Sequence, residues 1–146
     1  MATADRKATV KWQGDLMKGS GTFDLDSSHV LTGQEVTWAR RTEEPEGHTS
    51  PEELIAAAHA SCYAMAFSNT LAEAGNAPDR LEVSATASLD LQTITITAVH
   101  LEVHGTVPGL DQDGFQAAAE KGEQSCPVSN ALRGNVEISV NATLNS

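Results

Sequence analysis

The segment between Ser50 and Gly75, SPEELIAAAHASCYAMAFSNTLAEAG, constrains this chain more than any other. It predicts one long helix with marked ends. Ser50 is a good N-cap, Pro51 fits the first helical position, Glu53 completes a capping box, and Gly75 marks the stop. Leu54, Ile55, Ala56, Ala57, Ala58, Ala60, Met65, Ala66 and Phe67 cover more than one stripe of this helix. A helix apolar on so many sides needs burial all round. One small domain with one sheet covers only part of it. The rest is expected to meet a second copy of the chain, most simply as a two-fold homodimer. The run Ala56-Ala57-Ala58 would let two such helices cross closely. A monomer whose short helices cap the exposed face is the alternative.

The other elements follow from alternation and punctuation. Residues 8–14 and 20–25 read as strands around a Met17-Lys18-Gly19 turn, and residues 34–41 as a third strand. Thr42 to Thr49, with Pro45 and Gly47, reads as a loop. Residues 80–91 put Leu81, Val83, Ala85, Ala87, Leu89 and Leu91 on one strand face. Residues 93–107 form the next strand, whose alternation slips between Ile96 and Val99 and so predicts a bulge or bend. DQDGFQAAAEKGEQ reads as a second helix weakened by Gly114 and Gly122. Cys126-Pro127 opens a third, short helix, and residues 134–144 form a final strand. The order β-β-β-α-β-β-α-α-β makes an α+β fold with a mainly antiparallel sheet.

Length and charge narrow the function classes. The 146 residues suffice for a single domain spanning 1–146. A net charge of −11 argues against nucleic acid or an anionic membrane as partner, since both require a basic face. The first residues, MATADRKATVKW, lack the apolar stretch of a signal peptide, and no segment approaches a membrane span. A cytoplasmic protein is expected, in which a transient disulfide is more plausible than a permanent one. The sequon Asn141-Ala142-Thr143 is then a chance match.

The chain has two cysteines, and each sits in a distinctive local frame. Cys62 lies in the middle of the long helix, where the helix dipole helps it little. To react as a thiolate it needs a cation nearby. Arg40 and Arg41, at the end of the expected third strand, are the candidates, with Glu52 and Glu53 to orient the guanidinium. Glu52 precedes Cys62 by ten residues, about 15 Å along one helix. If two copies cross antiparallel near Ala57, Glu52 of one chain falls level with Cys62 of the other, which would put active sites at the dimer interface. Cys126, at a helix start, suits a resolving cysteine that attacks a sulfenic acid on Cys62.

The blocks W-x-G-D at Trp12, TSPEELIAAAHASCYAMAFS, VPGLD and CPVSNAL together resemble the OsmC/Ohr family of thiol peroxidases over nearly the whole chain. The glycine-rich turn GDLMKGSG lacks the arginine of the Ohr branch, so the resemblance is to the OsmC branch. The loop from Leu89 to Thr93 is shorter than in other members. The resemblance implies an OsmC-like fold with a long central helix and an intertwined homodimer. It implies reduction of organic hydroperoxides, and of hydrogen peroxide to a lesser degree, in oxidative and osmotic stress defence. Cys62 would be the peroxidatic cysteine and Cys126 the resolving one, passing through a Cys62–Cys126 disulfide. Glu52 would position the active-site arginine. The W-A-x-R spacing matches Arg41, while strict strand alternation would favour Arg40. No metal or bound organic cofactor is implied, and an external dithiol of the lipoyl type would reduce the disulfide. Ile55, Met65, Phe67 and Leu110 are candidates to line a pocket for the peroxide's organic group, though plain core is the more economical reading of each.

Competing readings stay in view. His59 shares a helix face with Cys62, and with Cys126 would suggest a metal site or a cysteine hydrolase. Neither a C-x-x-C pair nor a nucleophile elbow accompanies it. A satisfied interface histidine is the expectation. His100 and His104 read as a solvated strand face, and His29 and His48 as loop residues. A non-enzymatic dimer that binds a lipid or other small molecule is the alternative to a peroxidase.

Overall fold

The computed structural model describes residues 2–145, which form two compact units divided between Pro51 and Glu52. In the first unit, β1 (Ala8–Gln13), β2 (Ser20–Leu25) and β3 (Gln34–Val36) form an antiparallel sheet in that order. The β1–β2 turn is held by backbone and side chain together. The Asp15 carboxylate accepts the Lys18 N–H at 2.7 Å, and the Asp15 carbonyl accepts the Gly19 N–H at 2.9 Å. Gly21 pairs with Trp12, and a Cβ there would lie 2.7 Å from the indole, so only glycine lets that ring lie flat on the strand.

The third strand is shorter than the alternation predicted. It stops at Val36, and α1 (Trp38–Thr42) follows at once. Thr37 is the cause. Its backbone is extended, and its hydroxyl accepts the Arg40 N–H at 3.2 Å, capping a helical turn. Arg40 and Arg41 therefore lie on a short helix, not on a strand, and strand alternation does not choose between them.

The second unit begins with α2 (Pro51–Glu73), whose first residue closes the first unit. Gly75, at φ +85°, ends it: the Gly75 N–H reaches the Ala72 carbonyl at 3.0 Å and the Asn76 N–H the Leu71 carbonyl at 2.8 Å. This is the 5→2 and 6→1 pairing of a Schellman motif. The antiparallel hairpin of β4 (Arg80–Asp90) and β5 (Thr95–Thr106) follows. Ser88 pairs with Ala98 but Leu89 with Ile96, leaving Thr97 as the extra residue of the expected bulge. Next come α3 (Gln112–Gln124), α4 (Pro127–Leu132) and β6 (Glu137–Leu144). Because both helices intervene, β6 returns parallel to β5, so this second sheet is mixed.

Two glutamines one turn apart on α3 occupy the β6 backbone. Gln112 and Gln116 accept the Leu144 and Ala142 N–H groups at 2.8 Å each, and donate to the Ala142 and Val140 carbonyls. The edge of the sheet is thereby closed to another strand. Beneath it Tyr63, Phe67 and Leu71 of α2 pack on Leu101 and Val103 of β5 and on Phe115 and Ala119 of α3. Gly122, expected to weaken α3, has a packing role: a Cβ there would lie 3.1 Å from the Phe67 Cα.

Candidate active site

Within the second unit the long helix buries one row of side chains at Glu52, His59, Tyr63, Phe67 and Leu71. Cys62 sits beside that row, half-buried, one turn after His59. Cys126 is fully buried as the N-cap of α4, and its sulfur accepts the Ser129 N–H at 3.5 Å. Both thiols are free. The Cys62 thiol interacts with the Cys126 side chain and the Val128 backbone. Burial pushes Cys62 above the usual thiol range, the Val128 backbone pulls it back, and Cys126 pushes it further up. On balance its own unit holds Cys62 as the thiol, and a cation is what would bring it down.

Buried polar groups crowd the same end of α4. His59 and Ser129 are fully buried, and the His59 Nε2 lies 2.6 Å from the Ser129 hydroxyl. His59 Nδ1 has no hydrogen-bond partner among the described residues. Burial holds the imidazole below its ordinary value, and the buried Glu123 carboxylate partly offsets this. Glu123 is ion-paired with Arg133 at 2.9 Å. His59 is thus a core residue with one nitrogen satisfied, not the satisfied interface histidine expected. Its helix face is turned inward, onto α4 of its own chain. Sequence reasoning missed Ser129, because no local pattern marks a residue paired with another 70 positions away. It also missed Glu123 and Arg133, which pair with each other across the turn from α3 to α4. No three His, Cys, Asp or Glu side chains among the described residues are grouped to hold a metal ion.

In the first unit, Arg41 lines an apolar cavity of about 140 Å³ with Trp12, Leu16, Val36 and Trp38. Its guanidinium lies 5.8 Å from the Trp38 ring centroid, a cation–π arrangement. Arg40 is engaged elsewhere: its Nη1 donates to the Glu44 carbonyl at 2.9 Å and pairs with Glu46 at 2.8 Å. Glu52 is buried in the first turn of α2, while Glu53 is exposed. The structure therefore brings Cys62 and Cys126 together and sets Arg41, not Arg40, in a cavity.

Of the candidates for a pocket wall, Phe67 is fully buried in the core and Leu110 packs against it, which is the plain-core reading, while Ile55 is half-buried and Met65 is 69% exposed. The cavity is instead walled by the two tryptophans, brought together by the Trp12–Gly21 and Gly21–Val36 pairings that carry the chain toward Trp38. His100 and His104 are exposed as expected, and His100 bonds Ser139 at 2.7 Å and Glu102 at 3.1 Å. His100 and Asn141 hold the Glu102 carboxyl below its usual range.

The comparisons with known proteins agree with this architecture. Residues 44–141 match the family of OsmC-like proteins. The chain is 38% identical over 138 residues to the peroxiredoxin OsmC of Escherichia coli, covering 93% of this chain and 95% of that one. It is 32% identical over 98 residues to an organic hydroperoxide resistance protein of Xanthomonas axonopodis pv. citri, covering 63% and 65% of the two. A solved organic hydroperoxide resistance protein from Elizabethkingia anophelis superposes with a TM-score of 0.73 at 25% identity, over 99% of each chain. The chain belongs to the OsmC family.

Proposed function

We propose that this chain is a two-cysteine peroxidase that reduces organic hydroperoxides, and hydrogen peroxide less well, to alcohols and water. The observation that carries the reading is the pair of free thiols at Cys62 and Cys126, brought against each other by α2 and α4. The names of the curated relatives, a peroxiredoxin and an organic hydroperoxide resistance protein, support it.

The cycle balances with few parts. The Cys62 thiolate attacks the distal oxygen of ROOH, the O–O bond breaks, and the alkoxide takes a proton to leave as ROH. Cys62 becomes a sulfenic acid. The Cys126 sulfur then attacks the Cys62 sulfur, hydroxide departs with the thiol proton as water, and a disulfide remains. An external dithiol, of the lipoyl type, returns both thiols. Since its own unit raises Cys62, the reaction needs the charge of Arg41 to hold the thiolate and the developing negative charge. Glu52 orients that arginine, and the Trp12–Trp38 cavity takes the organic group. In this reading residues 1–146 act as a single domain.

A homodimer completes the proposal. α2 leaves Ala57, Ala58, Ser61 and Met65 exposed, and β1 leaves Val10 and Trp12 exposed. Small residues along a helix and apolar strand residues in water suit a second copy of the chain. Among the described residues no helix is long and apolar enough to cross a membrane. A cytoplasmic location is part of this proposal, supported by the likeness to the bacterial peroxiredoxin OsmC.

The test is intact mass and disulfide mapping after one equivalent of cumene hydroperoxide, on the wild type and Cys126→Ser. A Cys62–Cys126 bridge in the first and a trappable Cys62 sulfenic acid in the second are expected. Unchanged thiols would overturn the proposal.

A further inference from the structure

The buried His59–Ser129 pair lies outside the chemistry just described, yet it runs parallel to it. His59 precedes Cys62 by three residues on α2, and Ser129 follows Cys126 by three residues on α4. The two contacts are therefore neighbouring rungs between the same two helices, one of sulfur to sulfur and one of imidazole to hydroxyl. The hydroxyl rung is short, at 2.6 Å, and wholly buried. Ser129 also donates its backbone N–H to the Cys126 sulfur at 3.5 Å, and its carbonyl accepts the Arg133 N–H at 2.8 Å. Whatever fixes Ser129 fixes the turn that carries Cys126.

The contact can be made in either sense, Nε2–H donating to the Ser129 oxygen or the Ser129 hydroxyl donating to Nε2, and in both it ties Ser129 to α2. A disulfide forms only when the two Cβ atoms come within about 4.5 Å with a suitable torsion, so small shifts of α4 against α2 matter. α4 is a helix of six residues, and its alignment on α2 is open to such shifts where polar ties are missing. We infer that His59 is a positioning residue for the resolving step: through Ser129 it holds Cys126 in register with Cys62, so that disulfide formation outruns a second encounter with peroxide. This inference rests on the peroxidase reading above.

The experiment separates the two steps. Reduced protein is mixed with cumene hydroperoxide, and Cys62 sulfenic acid and Cys62–Cys126 disulfide are followed by quenched mass spectrometry. The proteins are wild type, His59→Leu, His59→Gln, Ser129→Ala and the His59→Leu/Ser129→Ala double variant. Loss of one buried hydrogen bond should slow disulfide formation about tenfold in His59→Leu. Sulfenic acid formation should fall much less, and Cys62 sulfinic acid should accumulate under excess peroxide. Gln, whose side-chain amide can donate to or accept from the Ser129 hydroxyl, should restore most of the resolving rate. Ser129→Ala should reproduce the loss, and the double variant should be no slower than either single.

Disulfide formation at the wild-type rate in His59→Leu would overturn the inference. So would equal slowing of both steps, which marks a general structural loss. So would failure of Gln to rescue, which marks proton transfer instead of positioning. If His59→Leu does not fold, Ser129→Ala and His59→Gln decide the same question. A wild-type protein that forms no disulfide brings down the peroxidase reading itself, and that result is read without any variant.

Discussion

In the second unit the polar groups of interest are sealed in a dense core. Cys126, His59 and Ser129 have no exposed surface, and glycines at 105 and 122 admit aromatic rings at van der Waals contact. The first unit is built the opposite way. Val10, Trp12, Leu16 and Met17 stay 41–70% exposed, and Arg41 sits against Trp38 in an open apolar cavity. One region holds Cys62 above the usual thiol range. The other sets the Arg41 guanidinium against apolar and aromatic walls. A thiolate costs free energy in the first setting, and a cation beside it would offset that cost. The two regions are thus built differently, and either can be damaged without the other.

Three substitutions would break that comparison if it is wrong. Cys62→Ser removes the nucleophile and should cut peroxide consumption by at least about a thousandfold, measured by hydroperoxide loss with excess dithiol. Arg41→Met should cost about a hundredfold in kcat/KM and move the pH profile of Cys62 alkylation to higher pH. Arg40→Ala, which removes a surface pair with Glu46 and a hydrogen bond to the Glu44 carbonyl, should stay within about twofold. Equal losses at Arg40 and Arg41 would end the assignment of the cation. Gly122→Ala probes the dense side alone. Its methyl would press on the Phe67 backbone and should cost about 2 kcal/mol in denaturant midpoint.

Much of this was legible in the sequence, for reasons that are local. Pro51 and Gly75 bound α2 because each is tied to a backbone conformation at a helix end. The slip in alternation before Val99 located the Thr97 bulge because a strand's faces repeat every two residues. Cys62 and Cys126 stood out as the only sulfur nucleophiles in marked frames. The errors are tertiary or depend on one side chain. Alternation through Val36 and Trp38 continued the third strand on paper, but the Thr37 hydroxyl captured the Arg40 N–H and turned the chain. The Trp12–Trp38 cavity depends on strand pairing, and the His59–Ser129 bond joins two helices that no periodicity relates.

The smallest predicted effect reads the dense core through pH. Burial holds the folded His59 below 6.5, its ordinary value, while the Glu123 carboxylate, itself paired with Arg133, offsets part of that shift. In the unfolded chain His59 takes its proton near 6.5. As pH falls through that value the unfolded state therefore binds more protons than the folded one, and stability falls. Above it neither state is protonated at His59, and this residue adds no slope. The raised Tyr63 and Cys62 act only at alkaline pH, and the lowered Glu102 only below about pH 5. Between neutrality and about pH 5, then, the His59 contribution stands clear of these three. Urea midpoints across that range should decline for the wild type and stay flatter for His59→Gln. Parallel slopes in the two proteins would mean that His59 is protonated in the core as readily as in water. The low-dielectric setting assigned to the thiol pair would then be wrong as well.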